Sequence, residues 1–122
     1  MVGSANAWPT IGVSDLAKAK EFYEGVLGLK PAKENEYLTL YESGNGMIEV
    51  YQTSFAGTNK ATYVTWTVDD IAKEVEDLKG KGVVFERYDM PGATYEGDVH
   101  VMEGEKAAWF KDPDGNILCL HQ

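Results

Sequence analysis

Val13-Ser14-Asp15-Leu16-Ala17-Lys18 and Val68-Asp69-Asp70-Ile71-Ala72-Lys73 are the two stretches that decide the fold. The second repeats the first 55 residues later, at Val13/Val68, Asp15/Asp70, Leu16/Ile71, Ala17/Ala72 and Lys18/Lys73. In each, an apolar strand end meets an Asp whose short carboxylate suits a helix N-cap, and a helical run follows. A second match lies further along: Gly46-Met47-Ile48-Glu49-Val50 falls on Asn116-Ile117-Leu118-Cys119-Leu120, 70 residues later. An internal repeat of this length predicts two copies of one unit. The shift grows from 55 to 70, so 15 residues of extra chain belong to the second copy. They are expected mainly in residues 90–106, a Gly-rich and acidic loop.

Working outward, Trp8-Pro9-Thr10-Ile11-Gly12-Val13 reads as a strand, with Pro9 near its start where a missing N–H is tolerated. Leu16, Ala19, Tyr23, Val26 and Leu27 share one helical face. Gly28 follows where a C′ glycine takes positive φ, and Pro31 discourages continuation. Strands are expected near 30–33, 37–41 and 47–53, the last two joined through Ser43-Gly44-Asn45-Gly46. Residues 54–60 read as a linker. In the second copy a strand at 63–68 precedes a helix carrying Ile71, Val75 and Leu78, ended by Gly80 and Gly82. Strands are then expected at 83–88, 107–111 and 116–121, the last two joined by the turn Asp112-Pro113-Asp114-Gly115. The expected fold is α+β: two βαβββ modules, about 7–55 and 60–122, in one domain spanning 1–122.

Composition narrows the function. Of 122 residues, 43% are hydrophobic and 25% charged, an ordinary globular mix. No apolar run reaches the roughly 18–20 residues of a membrane span. No basic stretch leads into an apolar one near Met1, so a cytoplasmic location is expected. The one cysteine, Cys119, excludes an internal disulfide framework. A net charge of −9 repels phosphate backbones, so nucleic acid is a poor partner, and it favours cationic ligands. There is no P-loop, dinucleotide fingerprint or Cys/His zinc pattern.

Val13-Ser14-Asp15-Leu16, Phe22-Tyr23-Glu24-Gly25-Val26-Leu27-Gly28-Leu29 and Phe110-Lys111-Asp112-Pro113-Asp114-Gly115-Asn116 together resemble the vicinal-oxygen-chelate superfamily of glyoxalases, bleomycin-resistance proteins and extradiol dioxygenases. The resemblance implies a curved mixed-sheet cup with helices on its outer face, a small-molecule ligand and a homodimer. It also implies that enzymes of the family hold a divalent metal through four side chains, one on the first and one on the last strand of each module. The register puts Trp8 and Tyr63 at the first-strand positions and Glu49 and Cys119 at the last-strand ones. An indole N–H only donates, and a phenol ligates only as phenolate. Glu49 fits the family pattern and Cys119 suits a soft ion, but two ligands of differing softness make a poor site for Mg, Mn, Fe or Ni. The expectation is therefore no metal and no cofactor.

Strand alternation divides the residues further. Ile11, Val13, Ile48, Val50, Val64, Trp66, Val68, Leu118 and Leu120 form the set expected under the helices. The opposite set is Trp8, Thr10, Glu49, Tyr51, Tyr63, Thr65, Cys119 and His121, joined by Met47 and Ile117, and its mixture of aromatic and polar groups suits a ligand cavity. Trp8 and Tyr63 read either as a stacking wall for a flat or cationic ligand or as core filling. Cys119 reads as a buried thiol more readily than as a nucleophile. His100 in the extra loop reads as solvated, or as part of a lid with Tyr95 and Met102. The expected function is metal-independent binding of a small organic molecule in an aromatic-lined cavity. The alternative is a glyoxalase-like lyase or isomerase with Glu49 as general base.

Overall fold

Asp15 and Asp70 each open a helix from extended backbone. Asp15 Oδ1 accepts from the Ala17 and Lys18 N–H groups at 2.9 and 3.2 Å, and Asp70 Oδ1 from Lys73 N–H at 3.2 Å. Such a cap stabilises a helix by about 1 kcal/mol. The computed structural model describes residues 1–122, which fall into two compact units, Met1–Gly57 and Thr58–Gln122.

The first unit contains β1 (Thr10–Val13), α1 (Leu16–Lys20), β2 (Lys30–Glu34), β3 (Leu38–Ser43) and β4 (Gly46–Gln52). α1 runs on as a π-helical segment, Glu21–Val26, closed by an i→i+5 bond from Leu27 N–H to Phe22 O at 2.9 Å. Gly28 then takes φ +74°, and Leu29 N–H donates back to Tyr23 O. The wider turn seats Tyr23 wholly in the core, stacked on Tyr41 at 6.2 Å between ring centroids. The sheet order is β1-β4-β3-β2, with β1 and β4 parallel and the other pairs antiparallel.

The second unit contains β5 (Thr62–Thr67), α2 (Ile71–Gly80), β6 (Phe85–Glu86), β7 (Thr94–Glu96), β8 (Val99–Met102), β9 (Glu105–Lys111) and β10 (Ile117–His121). Its order is β5-β10-β9-β8-β7, again with the first and last strands of the unit parallel, and β6 also pairs with β9. Ile71, Val75 and Leu78 form the buried face of α2. The two registers correspond: Thr10 faces Glu49 and Gly12 faces Tyr51, as Thr65 faces Cys119 and Thr67 faces His121. The α+β class and the strand–helix–strand repeat read from the sequence are therefore both present. Of the set expected under the helices, all are buried except Trp66 and Val68, which are half-buried. No helix is long and apolar enough to cross a membrane.

Three sequence expectations need correction. The strand expected at 37–41 begins at Leu38, because Asn35 Oδ1 accepts from the Tyr37 and Leu38 N–H groups and holds a turn. The strand expected at 83–88 shrinks to Phe85–Glu86. Val84 is exposed, and Tyr88 N–H donates to the His100 ring instead of to a strand. Residues 90–106 are not an irregular loop. They form the β7–β8 hairpin, turned at Gly97 (φ +62°), and β8 continues along the edge of β9 that β6 leaves unpaired.

Candidate functional site

In the first unit Thr10, Glu49 and Tyr51 lie on one face of the paired strands β1 and β4, and Trp8 precedes β1. Thr10 is exposed and Glu49 half-buried, and Trp8 and Tyr51 are 42% and 38% exposed. A cavity of about 510 Å³ opens beside the β3–β4 turn, lined among others by Asn6, Trp8, Glu42, Asn45 and Met47. Its one charged residue is Glu42; Thr10, Glu49 and Tyr51 do not line it.

In the second unit Thr65, Cys119 and His121 share the corresponding face. Cys119 is buried, its Sγ–H donating to Leu120 O at 3.3 Å, and burial pushes the thiol pKa up. A protonated, buried thiol is a poor nucleophile. His121 Nε2 lies within hydrogen-bond reach of the Glu105 carboxylate. Tyr63 is the extra residue of a bulge, since Ile117 faces Thr62 and Leu118 faces Val64. The slip of one residue puts Thr62 beside Ile117, a position that the repeat register had given to Tyr63.

The side chains that the register did not reach form a connected polar and aromatic group. His100, expected to be solvated, is wholly buried. Its Nε2 accepts from Tyr88 N–H at 2.9 Å, so in the neutral ring Nδ1 carries the proton, and this Nδ1–H has no partner. Trp109 and Tyr95 stand edge-on to the His100 ring, at 4.9 and 5.0 Å between centroids. Tyr95 O–H donates to Tyr88 O, and Arg87 lies over the Tyr95 ring while donating to Gly97 O. Tyr88 meets Trp109 edge to face at 5.5 Å, and Trp109 Nε1–H donates to Thr62 Oγ1 at 3.1 Å. Tyr88 and Trp109 wall a cavity of about 280 Å³, with Thr62, Met90, Ile117 and Lys60 around it. The signal that could have found this hairpin was local: Val99-His100-Val101-Met102 between glycines at 97 and 104.

The donor chemistry does not fit the divalent centre that the resemblance implies. No group of three or more His, Cys, Asp and Glu side chains is arranged to hold an ion. In the first unit Glu49 is accompanied by Trp8, which cannot ligate. In the second, burial pushes the Cys119 thiol pKa up, and neither the phenol of Tyr63 nor the hydroxyl of Thr62, which stands beside Ile117, suits such an ion.

Residues 7–120 match the model of the Glyoxalase/Bleomycin resistance protein/Dioxygenase superfamily. A probable lactoylglutathione lyase of Vibrio cholerae is 31% identical over 124 residues, covering 90% of this chain and 84% of the relative. Among solved structures, a glyoxalase family protein from Enterococcus faecalis aligns over the whole of both chains with a TM-score of 0.77 and 21% identity. A bleomycin resistance determinant encoded on the transposon Tn5 aligns over 98% of both, with a TM-score of 0.70 and 22% identity. At these identities the structural matches speak for the fold alone.

Proposed function

The chain belongs to the glyoxalase/bleomycin resistance protein/dioxygenase superfamily, and on that premise we propose that it binds a small organic molecule on an aromatic surface without a divalent metal. The observation that carries this reading is the cavity walled by Tyr88 and Trp109, lined also by Ala61, Met90 and Ile117, with Thr62 and Lys60 as its other polar residues. The proposed contact residues at that cavity are Thr62, Tyr88 and Trp109. Trp8, Thr10, Glu49 and Tyr51 in the first unit, and Tyr63, Thr65, Cys119 and His121 in the second, are proposed as contacts each within its own unit. A homodimer in the cytoplasm is part of the proposal, and light scattering tests the dimer. Elemental mass spectrometry after incubation with divalent ions and desalting tests the metal-free state. Near-zero occupancy is expected, and a stoichiometric metal would sink the proposal.

A second reading is favoured by one relative's name. The similar Vibrio cholerae protein is a probable lactoylglutathione lyase, and the half-buried Glu49 carboxylate is engaged in no ion pair. Glu49 would then be the general base of a lyase or isomerase. Positioned acid–base groups contribute about 10²–10⁴-fold to a rate. Formation of lactoylglutathione by the intact protein, lowered at least about 100-fold in Glu49→Gln, would establish this reading. Turnover that survives the substitution would end it.

A further inference from the structure

Resting on the reading of the second unit's cavity as a ligand site, we infer that its occupant is an uncharged, flat, apolar ring held by packing alone, not the cation that the net charge favours. Three observations converge on this. The first is that the polar atoms of the aromatic wall are engaged within the protein or sealed in it. Trp109 Nε1–H donates to Thr62 Oγ1 at 3.1 Å. Tyr88 N–H donates to the His100 ring, and Tyr88 O accepts from Tyr95 O–H. The Tyr88 hydroxyl is buried, out of a ligand's reach. A polar substituent turned toward this wall would lose its water and gain no partner.

The second observation is charge. The chain has 20 acidic and 11 basic residues, yet no carboxylate lines this cavity, and its one charged residue is the exposed Lys60. An exposed lysine contributes little to an ion pair. Glu86 faces Trp109 across the β6–β9 pair but is held by Lys111 at 3.5 Å, so two charges of opposite sign stand beside the wall. Neither an ammonium nor a carboxylate group finds a partner here that offsets the loss of its water. The third observation is shape. Trp109 packs edge to face with His100 at 4.9 Å and with Tyr88 at 5.5 Å, and Thr62 holds its indole N–H. A wall fixed in this way loses little freedom on binding. The remaining apolar lining is Ala61, Met90 and Ile117. The Met90 thioether is flexible and polarisable, and it adapts to the edge of a ring. At about 280 Å³ the cavity suits one or two fused rings.

The test uses three probes that share one ring system: 2-methylnaphthalene, 2-naphthoate and 2-naphthylmethylammonium. Binding to the full chain is read from the indole N–H signal of Trp109 in ¹H–¹⁵N spectra. That signal is assigned with Trp109→Phe or, should this variant not fold, by elimination with Trp8→Phe and Trp66→Phe. Methylnaphthalene is expected to bind roughly three- to tenfold more tightly than either charged probe. The two charged probes should lie within about threefold of one another. Met90→Ala should weaken methylnaphthalene about threefold through lost apolar contact, and the probe series on the unaltered chain stays decisive whether or not that variant folds. If either charged probe binds as tightly as methylnaphthalene, the inference of an uncharged occupant falls and the cavity reading stands. A folded Met90→Ala with undiminished affinity would likewise overturn the packing account. If no probe moves the Trp109 signal, the cavity reading itself falls.

Discussion

In the first unit the outer strand β2 is exposed at every residue, whereas in the second the outer edge of β9 is shared by β6 and β8, and β8 buries Val99 and His100. The two units otherwise share a plan: a capped helix, a parallel first–last pair and the same register across it. Their cavities differ accordingly. One lies beside a turn and carries Glu42 as its charge; the other lies against a fixed aromatic wall and carries Lys60. The shared repeat supplies the frame, and the extra hairpin, through His100 and Tyr95, braces the Tyr88 and Trp109 wall of the second unit's cavity.

The largest expected effect concerns the turns that close the two sheets. Asp112 is buried, and its carboxylate accepts from Asp114 N–H, Asn116 N–H and Asn116 Nδ2 at 2.9, 2.9 and 2.8 Å. Removing it takes one hydrogen-bond partner from the buried Asn116 amide and one from its N–H. In the first unit the turn residue Asn45 is exposed. Asp112→Ala is expected to cost about 3 kcal/mol in urea unfolding, and Asn45→Ala less than about 0.5 kcal/mol. Equal losses would break the contrast.

A smaller effect, but one of opposite sign, separates Tyr41 from Tyr88. Tyr41 O–H donates to Glu24 Oε2 at 2.9 Å, and the same oxygen is held by Lys20 at 2.9 Å. Tyr88 O–H has no partner. Tyr41→Phe should lose about 1–2 kcal/mol, while Tyr88→Phe, which removes an unsatisfied buried hydroxyl, should be neutral or stabilising by up to about 1 kcal/mol. Parallel unfolding curves of the two variants check the sign. A loss in Tyr88→Phe comparable to that in Tyr41→Phe would mean that its hydroxyl is satisfied after all.

The same contrast explains what was legible in the sequence. The two shifts placed the caps, the helices and the first–last strand pairs correctly, because each copy had to bury the same apolar stripe against the same register. Thr10 opposite Glu49 and Thr65 opposite Cys119 follow directly from it. Tyr63 escaped because a single bulge shifts register without altering the alternation of residue types. Tyr88 and Trp109 escaped for a different reason, and Tyr95 and His100 were read only as a solvated loop or a lid. Tyr88, Tyr95 and His100 lie in or next to the extra chain, which has no counterpart in the first copy to be read against. His100 is buried among the Tyr88, Tyr95 and Trp109 rings and accepts from Tyr88 N–H, contacts between residues 5 to 12 apart that the alternation of residue types does not encode.

The smallest expected effect lies on the alkaline side and again divides the two units. Burial raises the pKa of Cys119 and of Tyr88 in the second unit; burial and then the Glu24 carboxylate raise that of Tyr41 in the first. A group whose folded pKa exceeds its unfolded value binds more protons folded than unfolded. Its stabilising contribution is therefore complete below the unfolded pKa and is lost as pH rises toward the folded one. Unfolded cysteine titrates near about 8.5 and tyrosine near about 10. Between these values the decline belongs to Cys119 alone, with a slope of at most about 1.4 kcal/mol per pH unit. Cys119→Ala should flatten the urea midpoint across that window, whatever small cavity it leaves, because a cavity cost does not depend on pH. Tyr41→Phe should leave the window untouched and act only above about pH 10. If the decline persists in Cys119→Ala, the thiol is not the group responsible and the second unit's buried face is wetter than its packing implies.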